Sequence, residues 1–118
     1  FYGHQQGDIC LRTVAAKINE YCKRPGDECA RYGGEEFVIL LPETKSEEAC
    51  RMAEEIRRGV EALGLKHEKS NHEVATVSIG VAAEVPAMGS SYEALLRRAD
   101  EHLYEAKGSG RNRVSCAA

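Results

Sequence analysis

Two adjacent glycines, Gly33 and Gly34, most constrain how this chain can fold. Glycine adopts positive φ at little cost, and a Gly-Gly pair is a favoured centre for a tight β-hairpin turn. The apolar run Val-Ile-Leu-Leu follows at residues 38–41, and such a run is typical of a strand. The pattern therefore predicts a hairpin with arms at residues 28–32 and 36–41.

Two consecutive acids, Glu35 and Glu36, lie between this turn and the apolar run. Mg²⁺ takes oxygen ligands and is often bound by one or two carboxylates together with substrate phosphates. The acidic pair therefore indicates a site for a hard cation. The same residues also fit an ordinary turn with a charged edge, so residues 31–37 by themselves leave both interpretations open.

Length and composition fit a single soluble globular domain. The chain has 118 residues, of which 42% are hydrophobic and 30% charged, enough for a core of its own. The net charge of -3 is too small to predict attraction to a nucleic acid polymer or an anionic membrane. The chain has no apolar run of transmembrane length and no signal-peptide pattern at its start. We expect a cytoplasmic domain, within a full-length protein that is compatible with membrane attachment.

The cysteines are odd in number and include no Cys-x-x-Cys pair. They are Cys10, Cys22, Cys29, Cys50 and Cys116. Cys10 and Cys50 fall on apolar helical faces, as small buried thiols do. We expect a reducing compartment, with neither disulfides nor a zinc site.

The remaining periodicity alternates helices and strands in the order α-β-β-α-β-α-β. Helical spacing predicts a first helix over about residues 8–23, opened by Gly7 and Asp8. A second helix is expected after a cap at Thr44 or Ser46, and a third over residues 92–106. Alternation over residues 75–81 predicts a strand, and a short strand at residues 113–116 is expected to close the sheet. This order predicts an α/β (α+β) fold with a helix-covered mixed sheet and a central antiparallel hairpin.

Five stretches in the right order resemble the GGDEF family, the diguanylate cyclases. Gly-Gly-Glu-Glu-Phe at residues 33–37 resembles the motif that names the family, in its common Glu variant. The others are Gly-His-x-x-Gly-Asp at 3–8, Thr-Val-Ser-Ile-Gly-Val at 76–81, Ala-Asp-Glu-His-Leu-Tyr-Glu-Ala-Lys at 99–107 and Gly-Arg-Asn at 110–112. The resemblance covers residues 1–118 as one domain and implies the ferredoxin-like, palm-like fold of nucleotide cyclases.

The resemblance implies an enzyme that condenses two GTP molecules into cyclic di-GMP and releases pyrophosphate, with Mg²⁺ or Mn²⁺. Two domains would face each other as a homodimer, so that each ribose 3′-hydroxyl attacks the other GTP at its α-phosphate. Such chemistry depends mainly on positioning and charge neutralisation. By resemblance, Glu35 and Glu36 are catalytic acids and metal ligands, and Arg31 stabilises charge on the transferring phosphate. Apart from the resemblance, Arg31 also fits a structural role, in which it pairs with an acid on the neighbouring strand.

The same resemblance assigns substrate contacts to Asp8, Gly33, Gly34, Lys107 and Arg111. Asp8 would accept hydrogen bonds from the N1 and N2 donors of guanine, and the glycines would let backbone lie against the nucleotide. Lys107 and Arg111 would contact the triphosphate. Without the resemblance, Asp8 fits an acid in the first turn of a helix, which the helix dipole favours. Lys107 and Arg111 then fit the basic end of a helix.

Arg24 and Asp27 form an Arg-x-x-Asp sequence that five residues separate from Gly33. Its spacing resembles the inhibitory product-binding site of the family. An arginine suits the phosphates and guanine face of cyclic di-GMP, and an aspartate accepts from guanine. In isolation, the four residues also fit a polar turn.

The family begins its domain with a strand that carries an Asp metal ligand, followed by Asp-x-Phe-Lys and an Asn-Asp pair just before Gly-His. Phe1 instead opens this sequence, two residues before its Gly-His. We therefore expect an N-terminally incomplete domain that is inactive by itself. The intact protein is expected to carry an upstream sensory or receiver domain.

Two functions of different classes remain open. The undamaged acidic motif favours an active cyclase. The alternative is a non-catalytic cyclic di-GMP receptor that binds through Arg24 and Asp27. A third interpretation, a ferredoxin-like regulatory domain without nucleotide chemistry, has less support.

Overall fold

The computed structural model describes residues 4–33, 36–66, 74–84 and 91–116. Side chains of residues 4–8 and 30–36 lie outside this description. Three helices and four strands occur in it, in the order α1 (His4–Asn19), β1 (Glu28–Gly33), β2 (Glu36–Leu40), α2 (Ser46–Ala62), β3 (Ile79–Val81), α3 (Tyr92–Gly108) and β4 (Val114–Cys116). The predicted order and the mixed α/β class are confirmed.

Two predicted elements have the wrong boundaries. Helix α1 begins at His4 and ends at Asn19, so Gly7 lies inside the helix instead of opening it. A single interior glycine costs a helix only about 1 kcal/mol, which the flanking helical residues can offset. The strand predicted over residues 75–81 is reduced to Ile79–Val81. Val74, just before the predicted strand, forms an isolated antiparallel bridge with Lys66.

The chain forms two compact units, each described by itself. The first, here called the hairpin unit, comprises Phe1–Glu43 and Gly59–Ala75. Strands β1 and β2 pair antiparallel in it. Its buried apolar residues come from α1, the end of α2 and the segment after it: Val14, Ile18, Val60 and Ala75.

The second, here called the exit unit, comprises Thr44–Arg58 and Thr76–Ala118. Strands β3 and β4 pair parallel, with Ile79 opposite Val114 and Val81 opposite Cys116, and α3 connects them. Ser91 caps α3, since its hydroxyl accepts from the Ala94 N–H at 2.9 Å. The core of this unit consists of Ala53, Ile56, Val81 and Ala106.

Gly80 is the position where β3 crosses α3. A Cβ atom at Gly80 would overlap the Ala99 carbonyl oxygen and the Leu103 nitrogen. Both are backbone atoms of a helix and cannot rotate away. Only glycine therefore permits this approach of strand to helix.

A disulfide joins Cys50 of α2 to Cys116 of β4, so the prediction of no disulfides is wrong. The two residues are 66 positions apart, and a separation that long carries no local sequence signal. Cys10, Cys22 and Cys29 remain thiols.

Candidate functional site

The signature hairpin contains an irregularity at its mouth. Pairing is regular from Glu28 opposite Leu40 to Arg31 opposite Phe37, and then shifts so that Gly33 lies opposite Glu36. One additional residue is thereby inserted into β1, as in a β-bulge. Bulges re-aim side chains and occur frequently beside active sites. The sequence motif and the irregular backbone therefore coincide.

The structure describes the predicted catalytic residues to different extents. Gly34 and Glu35 lie outside the described residues. The backbone places Arg31 and Gly33 in β1, and Glu36 at the first position of β2. Asp8 lies in α1. The side chains of Asp8, Arg31 and Glu36 are outside the description, so their predicted roles stay predictions.

Arg24 to Asp27 form a tight turn at the end of the α1–β1 connection. The Asp27 N–H donates to the Arg24 carbonyl at 3.0 Å, and Gly26 has a φ of 87°. Proline before a glycine with positive φ is the sequence pattern of a type II turn. A Cβ on Gly26 would also lie 3.3 Å from Pro42 Cγ, a tight contact that adds to the preference for glycine at this positive φ.

The turn brings together the two residues predicted to bind product. Arg24 donates to Asp27 Oδ2 from its backbone N–H and from Nε, each at 3.2 Å. The Asp27 side chain is 1% exposed and that of Arg24 is 40% exposed. Among the described residues, the second carboxylate oxygen, Oδ1, is buried without a hydrogen-bond partner. A buried acceptor of this kind is costly unless it has a partner, and a bound donor would satisfy it.

Two thiols flank this turn. Burial raises the pKa of Cys22, and the neighbouring Cys29 and Asp27 raise that pKa further. Burial also raises the pKa of Cys29, which hydrogen-bonds to Cys22. A raised thiol pKa lowers nucleophilic reactivity at neutral pH. We interpret this pair as packing residues.

The predicted triphosphate residues lie on the segment that leaves α3. Lys107 is in the last turn of the helix. Gly110, Arg111 and Asn112 follow with φ of 121°, 62° and 47°. Positive φ at two consecutive non-glycine residues costs about 1–2 kcal/mol each, and it persists only where the surroundings hold it.

Hydrogen bonds hold this segment at several points. The Arg111 N–H donates to the Ala106 carbonyl at 3.0 Å, and Arg113 Nε donates to the Arg111 carbonyl at 3.1 Å. The Asn112 N–H donates to Ser78 Oγ at 3.2 Å. Strained backbone fixed by several contacts is typical of functional sites, which favours a binding role for Arg111.

Sequence reasoning missed an ion-pair network that supports the same segment. Arg57 donates from Nη1 to Asn112 Oδ1 at 2.9 Å, and from Nη2 and Nε to the carboxylate of Glu54 at 2.6 and 2.8 Å. The Arg57 hydrogen bond, together with Arg58, lowers the pKa of Glu54 to about 2. Asn112 belongs to the Gly-Arg-Asn motif, which was the only signal available for it.

The predicted site residues fall into both units. Arg24, Asp27, Asp8 and the hairpin motif belong to the hairpin unit, and Lys107 and Arg111 to the exit unit. The described part of the chain contains no group of three or more His, Cys, Asp or Glu residues placed to hold a metal ion. No helix in that part is long and apolar enough to cross a membrane.

Residues 1–113 match the family described as "Diguanylate cyclase, GGDEF domain", and the chain belongs to this family. Diguanylate cyclase A of Treponema denticola is 44% identical over 114 residues, which cover 97% of this chain and 30% of that protein. The chain therefore spans less than a third of that relative's length.

Two solved structures are similar in fold and sequence. The GGDEF domain of DgcB from Caulobacter crescentus, in complex with c-di-GMP, has a TM-score of 0.84 and 40% identity, and the match covers 97% of this chain and 66% of that one. The active GGEEF domain of a diguanylate cyclase from Vibrio cholerae has a TM-score of 0.76 and 31% identity, with 97% and 70% covered. The expected palm-like cyclase fold is thereby confirmed.

Proposed function

We propose that the protein carrying this chain is a diguanylate cyclase that condenses two GTP molecules into cyclic di-GMP. The observation that carries the proposal is the intact Gly-Gly-Glu-Glu-Phe motif at the bulged mouth of the β1–β2 hairpin. The motif retains both carboxylates, which a non-catalytic member would not need. The Vibrio cholerae domain with a GGEEF motif is described as active, which supports the same conclusion.

Glu35 and Glu36 provide the oxygen donors for a divalent cation. Two carboxylates on consecutive residues suit a small hard ion such as Mg²⁺ or Mn²⁺, so the donor chemistry fits. When bound, the ion neutralises phosphate charge and lowers the pKa of the attacking 3′-hydroxyl. Glu35 serves as a ligand and helps to accept the proton of that hydroxyl, and Glu36 serves as the second acid.

The other residues of the proposed site bind and orient GTP. Gly33 and Gly34 allow the backbone to approach the nucleotide, and the carboxylate of Asp8 accepts hydrogen bonds from guanine. Lys107 and Arg111 pair with triphosphate oxygens, and the fixed positive-φ backbone pre-orients Arg111. Arg31 neutralises charge on the α-phosphate as the 3′-oxygen bonds to phosphorus and pyrophosphate leaves.

The reaction joins two GTP molecules, so two copies of the domain must face each other. We propose a homodimer in which each copy binds one GTP. The chain covers only 30% of Diguanylate cyclase A, which leaves room for an upstream sensory or receiver domain to control pairing. We place the catalytic domain in the cytoplasm, where GTP is available.

Arg24 and Asp27 form the proposed inhibitory site for the product. Asp27 Oδ1, which is buried without a hydrogen-bond partner among the described residues, supports this assignment, because an N–H donor of guanine would satisfy it. The half-exposed Arg24 guanidinium can pair with a phosphate of cyclic di-GMP. This site would also serve the alternative function, a receptor that binds cyclic di-GMP without making it.

Incubation of the dimeric full-length protein with GTP and Mg²⁺ tests the proposal. We expect chromatography to detect cyclic di-GMP and pyrophosphate with GTP, and no cyclic product with ATP. A folded, dimeric sample that binds cyclic di-GMP but makes none would be a receptor. The segment of residues 1–118 is expected to be inactive in the same assay.

A further inference from the structure

The disulfide between Cys50 and Cys116 lies at an accessible surface. Both residues line a cleft of about 810 Å³ along the first turns of α2, together with Arg51, Glu54 and Arg58. Their Cα atoms are 6.2 Å apart, within the usual range for disulfides. Both half-buried cysteines therefore border a space that a small thiol reagent can enter.

This bond connects α2 to the chain after α3. A second connection is the hydrogen bond from Arg57 to Asn112. Arg111, the proposed triphosphate residue, directly precedes Asn112, and β4 leads from there to Cys116. Strand β4 contributes only three paired residues to its sheet, and so short a strand opens easily without further attachment. The two connections thus stabilise the segment that presents Arg111.

We propose that Cys50 and Cys116 are a reversible redox pair that orders the segment of residues 109–116 and thereby raises affinity for the triphosphate. The effect on affinity rests on the proposed function, whereas the ordering of the segment does not. In the oxidised state the bond closes a loop between residues 66 apart and limits the open conformations available to the segment. In the reduced state, the hydrogen bonds of the segment and the β3–β4 pairing must hold it without the covalent link.

The redox step requires two thiol groups, supplied by one dithiol, such as a thioredoxin-class protein or dithiothreitol, or by two molecules of reduced glutathione. One thiolate of the reductant attacks a sulfur of the Cys50–Cys116 bond, that bond breaks, and the released thiolate takes up a proton. The second thiol of the reductant then displaces the remaining cysteine, which is also protonated. Two electrons pass to the pair, and the reductant becomes a disulfide. Oxidised glutathione reverses the reaction by two successive exchanges.

The experiment equilibrates the full-length protein in mixtures of reduced and oxidised glutathione. Mass spectrometry after alkylation measures the cross-linked Cys50–Cys116 peptide. Hydrogen exchange measures protection of the amides of residues 109–116, and calorimetry measures binding of a non-hydrolysable GTP analogue. On reduction we expect loss of the cross-link, exchange about tenfold faster in this segment and a Kd for the analogue at least about fivefold higher.

Cys50→Ser and Cys116→Ser should each show the hydrogen exchange and the Kd of the reduced wild-type protein at every glutathione ratio. Either variant suffices if the other fails to fold. Cys22→Ser, the matched control, should keep the wild-type response. Absence of the cross-linked peptide at every ratio would overturn the proposal. So would a cross-link whose reduction leaves exchange in residues 109–116 unchanged. If exchange responds to reduction but neither form binds the analogue, the redox pair is upheld and the proposed function fails.

Discussion

Arg57 and Asn112, 55 residues apart, are joined by a 2.9 Å hydrogen bond from a guanidinium to an amide oxygen. The bond connects the middle of α2 to the residue that follows Arg111. The same guanidinium also donates to Glu54, so the Arg57 side chain is held between two partners. The position of the proposed triphosphate-binding residue thus depends on a helix that makes no proposed contact with substrate.

This relationship predicts that Asn112→Gly weakens GTP binding without touching the chemistry. Glycine accepts the positive φ of 47° but removes the acceptor for Arg57. We expect KM for GTP to rise on the order of tenfold, with kcat changed little. Steady-state kinetics measure both. Arg58→Ala, which loses an exposed pair with the same Glu54, is the control. An unchanged KM in Asn112→Gly would contradict the positioning role.

The low pKa of Glu54 predicts that the folded protein loses stability as the pH becomes acidic. The pKa of Glu54 falls from 4.5 to about 2 in the folded protein, so folding favours its charged form. That contribution is fully present above about pH 4.5 and is lost as pH falls toward 2. Urea unfolding between about pH 5 and 2.5 should show a steeper loss for wild type than for Glu54→Gln. Equal slopes would mean that the Arg57 pair does not persist in solution.

Gly80→Ala is expected to destabilise the exit unit by about 3 kcal/mol, because the added methyl group meets the α3 backbone at Ala99 and Leu103. Urea denaturation measures the loss. Gly108→Ala is a matched control, since a Cβ at Gly108 has no atom of the described chain within 4 Å. That variant should be neutral or slightly stabilised. Similar stability of both variants would show that β3 can move away from α3.

The sequence predicted what is encoded locally. The four residues from Arg24 to Asp27 fit a polar turn by sequence and form one in the structure, and the glycine pair with its apolar run predicted both arms of the hairpin. Helical spacing located the three helices, although neither end of α1. The contacts at Arg57 and Cys50 join positions 55 and 66 residues apart. They depend on how the elements pack, which residue spacing does not record.

Glu35→Gln tests the proposed cation site. The amide keeps the size of the side chain but removes the charge that would face the cation. We expect turnover to fall by at least on the order of a hundredfold, since the site acts on transition-state charge. The unfolding midpoint should stay near wild type. Turnover of the purified dimeric protein and circular dichroism measure the two quantities. Near-normal turnover would rule out Glu35 as a metal ligand.

Arg24→Ala is expected to separate product inhibition from catalysis. The substitution removes a charged donor that can pair with phosphate, and should weaken cyclic di-GMP binding by about 1.5–3 kcal/mol, roughly ten- to a hundredfold. Initial turnover of GTP should stay near wild type, while progress curves should no longer flatten as product accumulates. Calorimetry and full progress curves measure the two effects.

Arg24→Ala has a side effect, because it leaves the buried Asp27 carboxylate without its ion pair. A second variant, at Asp27, therefore complements it. Asp27→Asn keeps the shape of the turn and an oxygen that can accept from the Arg24 N–H, but its neutral amide is a weaker acceptor for guanine. It should therefore lose product binding while the turn stays folded. A ligand held here inhibits only if it favours an unproductive arrangement of the two GTP sites over the productive one. If Arg24→Ala and Asp27→Asn both bind product tightly and remain inhibited, these residues form only a polar turn between α1 and β1.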